Sequence, residues 1–219
     1  MDIKKTALVL IDTQKESEFG IEGLEQAVNN SKNLIEACRS YNIPIIYTRH
    51  VSRADGVGLP DQEPINENGT PIYYASNTAD IEVIDAIRPK EEDIVIDKHR
   101  WSGFYETSLD LMLRSLGVEH LIIGGFVTDG CLFSSVYDAY FRDYKIHLVK
   151  DICAATNEGA HMSSILILAN WVYNIRIYNA NEMIKKLKGE EHNVWISTAP
   201  DQLQFTPENM RAVFNQLDQ

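Results

Sequence analysis

Residues 121–138 read LIIGGFVTDGCLFSSVYD. The stretch opens as an unbroken apolar run, as in a strand covered on both faces of a parallel sheet. It closes with the spacing of a helix. Between the two lies a tight turn, GGFVTDGC, that delivers Cys131 to the junction. A thiol at such a junction sits beside backbone N–H groups and the positive end of a helix, both of which favour its thiolate. The same N–H groups can hold the oxygen of a carbonyl under attack. Against this reading stands the tendency of free cysteines to be small core residues.

Working outward, the same alternation of apolar run and helix repeats along the chain. Residues 6–12, TALVLID, form a first strand that ends in Asp12. Residues 21–41 place Leu24, Ala27, Leu34, Ile35 and Cys38 on one helical face. Residues 43–48 form a second strand, followed by Arg49 and His50. A short helix is expected over 80–87. The third strand, 93–97, leads into Lys98 and the cluster Lys98-His99-Arg100-Trp101-Ser102-Gly103-Phe104. A helix begins at Thr107 and stops at Gly117. Strands at 119–124, 145–149 and 172–178 complete the set, with helices from Cys131, over 158–170 and over 181–187. Six strands alternating with helices predict a three-layer α/β/α fold with a mainly parallel, doubly wound sheet.

Right-handed crossovers bring the carboxyl ends of such strands to one edge, where ligands bind. Asp12, Lys98 and Cys131 end the first, third and fourth strands and can meet there. Their chemistry is complementary: a thiol nucleophile, a carboxylate to move its proton and an ammonium to hold the charge. Residues 51–77 are polar and rich in Gly and Pro, with Tyr73 and Tyr74 near the end. A connection of that length is expected to act as a lid or binding loop. His161, in the first turn of a helix, reads as structural, and Cys38 and Cys153 as packing.

Bulk properties narrow the partners. The 219 residues suffice for one large α/β domain. A net charge of −12 argues against nucleic acid or an anionic membrane surface as the main partner. Three cysteines, none near another in sequence, give no disulfide framework and fit a reducing, cytoplasmic compartment. The chain passes from Met1 straight towards a strand, so no signal peptide is expected. The longest apolar run, near 165–175, is too short to span a bilayer.

Three motifs, LVLIDTQ (8–14), DIVIDKHRWSGFYET (93–107) and GGFVTDGC with its helix through FRDY (124–144), together resemble the isochorismatase-like cysteine hydrolase superfamily over roughly residues 3–188. The resemblance implies an Asp12-Lys98-Cys131 catalytic triad. It also implies a cis peptide between Phe126 and Val127, and an oxyanion hole from the N–H groups of Val127 and Cys131. Gln14, His50, Arg100, Trp101, Phe104 and Phe126 are the candidates for the substrate pocket. Residues 1–188 would form the hydrolase domain and 189–219 a C-terminal extension.

Within that superfamily, nicotinamidase-like members carry an Asp-x-His metal pattern after the second strand. Here the matching residues are His50-Val51-Ser52, so no metal or other cofactor is expected. KHRWSGF resembles the KPRYSGF-type motif of enzymes acting on ureido and carbamoyl amides, such as N-carbamoylsarcosine, biuret and ureidoacrylate hydrolases, with His99 where proline is usual. Some of those bind a substrate carboxylate through an arginine after the fifth strand. Around Thr156 and Asn157 there is no basic residue.

The expected activity is therefore metal-independent hydrolysis of a C–N bond in a small amide or ureide through a Cys131 thioester. The rival readings are a nicotinamidase-type amidase, a catalytically silent ligand-binding relative, and a redox-sensing thiol. The last would want a resolving cysteine beside Cys131, and none is adjacent. The apolar side of the extension, Trp195, Phe205, Met210, Val213, Phe214 and Leu217, is expected to contact a second subunit in a homodimer or homotetramer.

Overall fold

The computed structural model describes residues 1–15 and 20–218. Seven strands form one sheet: β1 (Thr6–Ile11), β2 (Ile45–His50), β3 (Ile94–Lys98), β4 (His120–Gly125), β5 (Lys145–Val149), β6 (Arg176–Tyr178) and β7 (Trp195–Ile196). Their order across the sheet is β3-β2-β1-β4-β5-β6-β7, and every pairing is parallel except β6 with β7. The chain moves one way from β1 to β3 and the other way from β4 onward. The switch point falls between β1 and β4, and it opens a crevice beyond their carboxyl ends. Register carries the site to that edge: Ile11 pairs with Gly125 and His50 with Lys98. Asp12 therefore emerges level with Phe126.

The helices are α1 (Leu24–Ser40), α2 (Leu109–Ser115), α3 (Phe133–Tyr140), α4 (Glu158–Trp171), α5 (Ala180–Lys188) and α6 (Met210–Phe214). α1 packs with α5, and α3 packs with α4. Right-handed crossovers put these two pairs on opposite faces of the sheet. β1 is buried at every position, as a central strand apolar throughout but for Thr6 requires. Cys38 and Cys153 are buried packing residues, and all three cysteines are free. Among the described residues, no helix is long and apolar enough to cross a membrane.

The structure differs from the expected pattern in three places. The sheet has seven strands rather than six. β7 is a two-residue antiparallel edge strand, too short to leave a period-two signal. The expected helix over 80–87 is two separate 3₁₀ turns, Ala79–Ile81 and Asp85–Ile87. The helix expected from Cys131 starts at Phe133, and a π-helical turn, Thr128–Leu132, precedes it. Part of the extension packs on its own chain. Leu203, Val213 and Leu217 are buried. Asn170 on α4 exchanges two hydrogen bonds with the Leu203 backbone, of 2.9 and 2.8 Å. Lys150, just past β5, lies 4.7 Å from the Phe214 ring centroid and 2.9 Å from Asp218.

Candidate active site

Asp12 follows β1 with φ +47°, an uncommon conformation for a non-glycine residue. Its N–H donates to the Thr48 carbonyl at 3.1 Å, and the Thr48 hydroxyl donates to Oδ1 at 2.7 Å. Oδ2 lies 2.6 Å from Lys98 Nζ, and both side chains are fully buried. Among the described residues, Oδ2 makes no further hydrogen bond, which leaves it a lone pair to take a proton.

The Lys98 ammonium is the hub. Besides Asp12, it reaches the Arg100 carbonyl at 2.9 Å, His50 Nδ1 at 3.2 Å and Cys131 Sγ at 3.4 Å. An ammonium has three protons, so four acceptors share them. Burial works to lower the Lys98 pKa. The Asp12 charge, with the hydrogen bonds to Asp12 and Cys131, outweighs it, so the net shift is upward. Lys98 stays cationic. His50 is pushed down to about 4, first by burial and then by the Lys98 charge. It is neutral near pH 7 and able to accept.

Cys131 arrives on a turn that only glycine can make. A Cβ on Gly125, where φ is +127°, would stand 2.1 Å from the Ile11 carbonyl oxygen. A Cβ on Gly124 would stand 2.3 Å from the Ile152 side chain. The Phe126–Val127 peptide is cis. The turn is tied to the loop after β3. Ser135 Oγ donates to the Cys131 carbonyl at 2.6 Å and accepts from the Gly103 N–H at 2.8 Å. Ser102 donates to Asp138 on the same helix.

The thiol differs from the expected stabilised thiolate. Burial raises the Cys131 pKa, the Asp12 charge raises it further, and Lys98 only partly opposes them. The resting group is a neutral thiol.

Above Sγ opens a cleft of about 880 Å³, walled by the 51–77 loop, the loop after β3 and the nucleophile turn. Of the expected pocket residues, His50, Arg100 and Trp101 line it. Gln14, Phe104 and Phe126 do not. Gln14 is used up by backbone: Nε2 donates to the His50 and Ile81 carbonyls, and Oε1 accepts from the His50 N–H. Phe104 and Phe126 are core side chains. Val127 and Cys131 both border the cleft. The sequence reading missed Thr48, Ser102, Ser135 and Asp138. Only Ser135 left a signal, a hydroxyl four residues after the cysteine on a helix, placed to bond back. His161 meets Thr128 Oγ1 at 2.9 Å beneath the turn, a structural role.

One oxygen of Asp12, one ring nitrogen of His50 and Cys131 Sγ lie within 4.8 Å of one another, a spacing that could hold a metal ion. The Lys98 ammonium already contacts all three residues. A cation is thus supplied by the chain itself, and a metal would have to displace it against a short buried ion pair. The donor set does not fit a resident metal.

Comparison with known proteins agrees with this architecture. Residues 6–176 match the isochorismatase domain. The ureidoacrylate amidohydrolase RutB of Acinetobacter baylyi is 27% identical over 214 residues, covering 84% of this chain and 87% of the relative. A cysteine hydrolase from Pseudomonas syringae pv. phaseolicola superposes with a TM-score of 0.76 at 25% identity, over 86% of this chain and 95% of that one. N-carbamoylsarcosine amidase from Thermoplasma acidophilum superposes with a TM-score of 0.67 at 28% identity, over 81% and 98%.

Proposed function

The chain belongs to the isochorismatase family of hydrolases, and from that we propose that it cleaves a C–N bond in a small amide or ureide, with Cys131 as the nucleophile. The observation that carries the reading is the buried cluster at the cleft floor: Cys131 Sγ 3.4 Å from Lys98 Nζ, which pairs with Asp12 at 2.6 Å. The names of the relatives, a ureidoacrylate amidohydrolase and an N-carbamoylsarcosine amidase, support a ureido or carbamoyl substrate.

The mechanism follows from the resting charges. The substrate carbonyl settles over Sγ. Asp12 takes the thiol proton as the C–S bond forms, so a free buried thiolate never has to stand alone. Lys98 holds Asp12 ionised and aimed. The N–H groups of Val127 and Cys131 receive the developing oxyanion. Asp12 then gives its proton to the leaving nitrogen, and the C–N bond breaks to a thioester. Water, with Asp12 again as base, releases the acid.

Ammonia release across ureides, carbamoyl amino acids, biuret and nicotinamide tests the reading. Cys131→Ala should remove turnover by a factor on the order of 10⁴ or more. Asp12→Asn, which cannot carry the proton, should lose about 10²–10⁴-fold. Substantial hydrolysis by Cys131→Ala would refute the mechanism. Activity confined to nicotinamide would favour the nicotinamidase-type alternative.

A further inference from the structure

The walls of the cleft carry an unbalanced set of charges. Asp61 and Glu63 project from the 51–77 loop, and Asp129 stands two residues before the nucleophile. Against these three carboxylates, Arg100 is the one lysine or arginine lining the cleft among the described residues. One end of its guanidinium is held by backbone carbonyls. Nη1 donates to the Gly58 carbonyl at 3.0 Å and to the His99 carbonyl at 2.6 Å, and its charge acts on Glu63. Lys98 adds no net charge, because its ammonium lies under the floor and is cancelled by Asp12. The remaining walls include the exposed Trp101 and Tyr105, aromatic rings of a kind that attract cations and accept flat neutral groups.

A carboxylate on the substrate would thus enter a concave field in which carboxylates outnumber lysines and arginines three to one among the described lining residues. Clefts lined by one sign of charge concentrate the opposite sign and exclude their own. We infer that this cleft selects against anionic ureides and carbamoyl amino acids, and takes amides or ureides whose distal end is neutral or cationic. The inference rests on the proposed function of the same site. It concerns what reaches Cys131, so it can be tested without turnover.

The test compares two alkylating agents of nearly equal shape, neutral iodoacetamide and anionic iodoacetate, on the full-length protein at low ionic strength. Each transfers its CH₂ group to Cys131 Sγ with loss of iodide and of the thiol proton. The modified peptide is quantified by mass spectrometry. The reference is 2-mercaptoethanol, an uncharged thiol free of any cleft.

The iodoacetamide-to-iodoacetate rate ratio at Cys131 should exceed the reference ratio by about tenfold or more. It should shrink towards the reference in about 1 M salt, where the Debye length is about 3 Å. It should also shrink in Asp61→Asn/Glu63→Gln/Asp129→Asn. A ratio at Cys131 equal to or below that of 2-mercaptoethanol overturns the inference. Kinetics then connect it to the reaction: kcat/KM for N-carbamoylglycinamide and N-(2-aminoethyl)urea should exceed that for N-carbamoylglycine. The two readings fail separately. Charge-selective alkylation without ammonia release from any compound removes the hydrolase and keeps the charge filter. Efficient hydrolysis of the carboxylate compound does the reverse.

Discussion

At the scale of single residues, Lys98 decides how the site works. Its ammonium pairs with the Asp12 carboxylate and touches the Cys131 thiol, so in the proposed mechanism the proton passes between those two groups only when a carbonyl is in place. Removing one partner of a buried pair strands the other charge, at a cost of about 3–5 kcal/mol. Lys98→Met is therefore expected to lose both turnover and about that much stability in urea denaturation. Lys98→Met with Asp12→Leu should recover much of the stability and none of the activity. A single mutant as stable as the parent protein would mean that the pair is not desolvated as described. Asp12, Lys98 and Cys131 were legible in the sequence because each follows an apolar strand with a reactive group. The roles of Thr48 and Gln14 were not legible. Both act through hydrogen bonds to β2 or Asp12, 36 residues away along the chain. The protonation state of Cys131 was misjudged for a related reason. The strand-to-helix junction points to a thiolate, but burial and the neighbouring Asp12 charge override it, and neither is visible locally.

At the scale of elements, the nucleophile turn works because β4 runs against β1 with no side chain between them. Gly125→Ala would put a methyl group 2.1 Å from a backbone oxygen at a φ of +127°, with no flexible atom to yield. The expected outcome is loss of more than about 4 kcal/mol or failure to accumulate folded protein. Circular dichroism and urea midpoints check this. By contrast, Gly117→Ala, also at positive φ but with nothing within 4 Å, should cost only about 1 kcal/mol. Comparable losses at the two positions would contradict the close-approach argument. Strand β1 could be placed from sequence because apolar run and strand coincide. The seventh strand could not, since Trp195 and Ile196 pair by tertiary contact alone. The start of α3 was missed because the π turn keeps helical composition while changing the hydrogen-bond pattern.

For the whole molecule, the switch point between β1 and β4 sets where the cleft lies, and buried histidines set how the fold meets acid. Burial, followed by the charges of Lys98 and Lys150 respectively, pushes His50 and His161 down to about 4. Burial and then His120 push His147 down to about 2. Unfolded histidine titrates near 6.5, so below that pH the unfolded chain binds protons that the folded chain refuses. The stability these groups contribute is complete above about pH 6.5. For His50 and His161 it is lost as pH falls through about 4. The urea midpoint should therefore drop steadily between pH 6.5 and 4.5, and His161→Gln should flatten part of that slope. A midpoint constant over that range would rule out neutral burial of these rings. The central claim is that Cys131 carries the acyl group between the two halves of the reaction. It is tested most directly by acid-quenching the protein during turnover of a ureide that it hydrolyses and measuring the intact mass. The account predicts an added substrate acyl group, mapped to Cys131 and missing in Cys131→Ala. Turnover with no covalent species at any quench time, or an adduct on another residue, would contradict it.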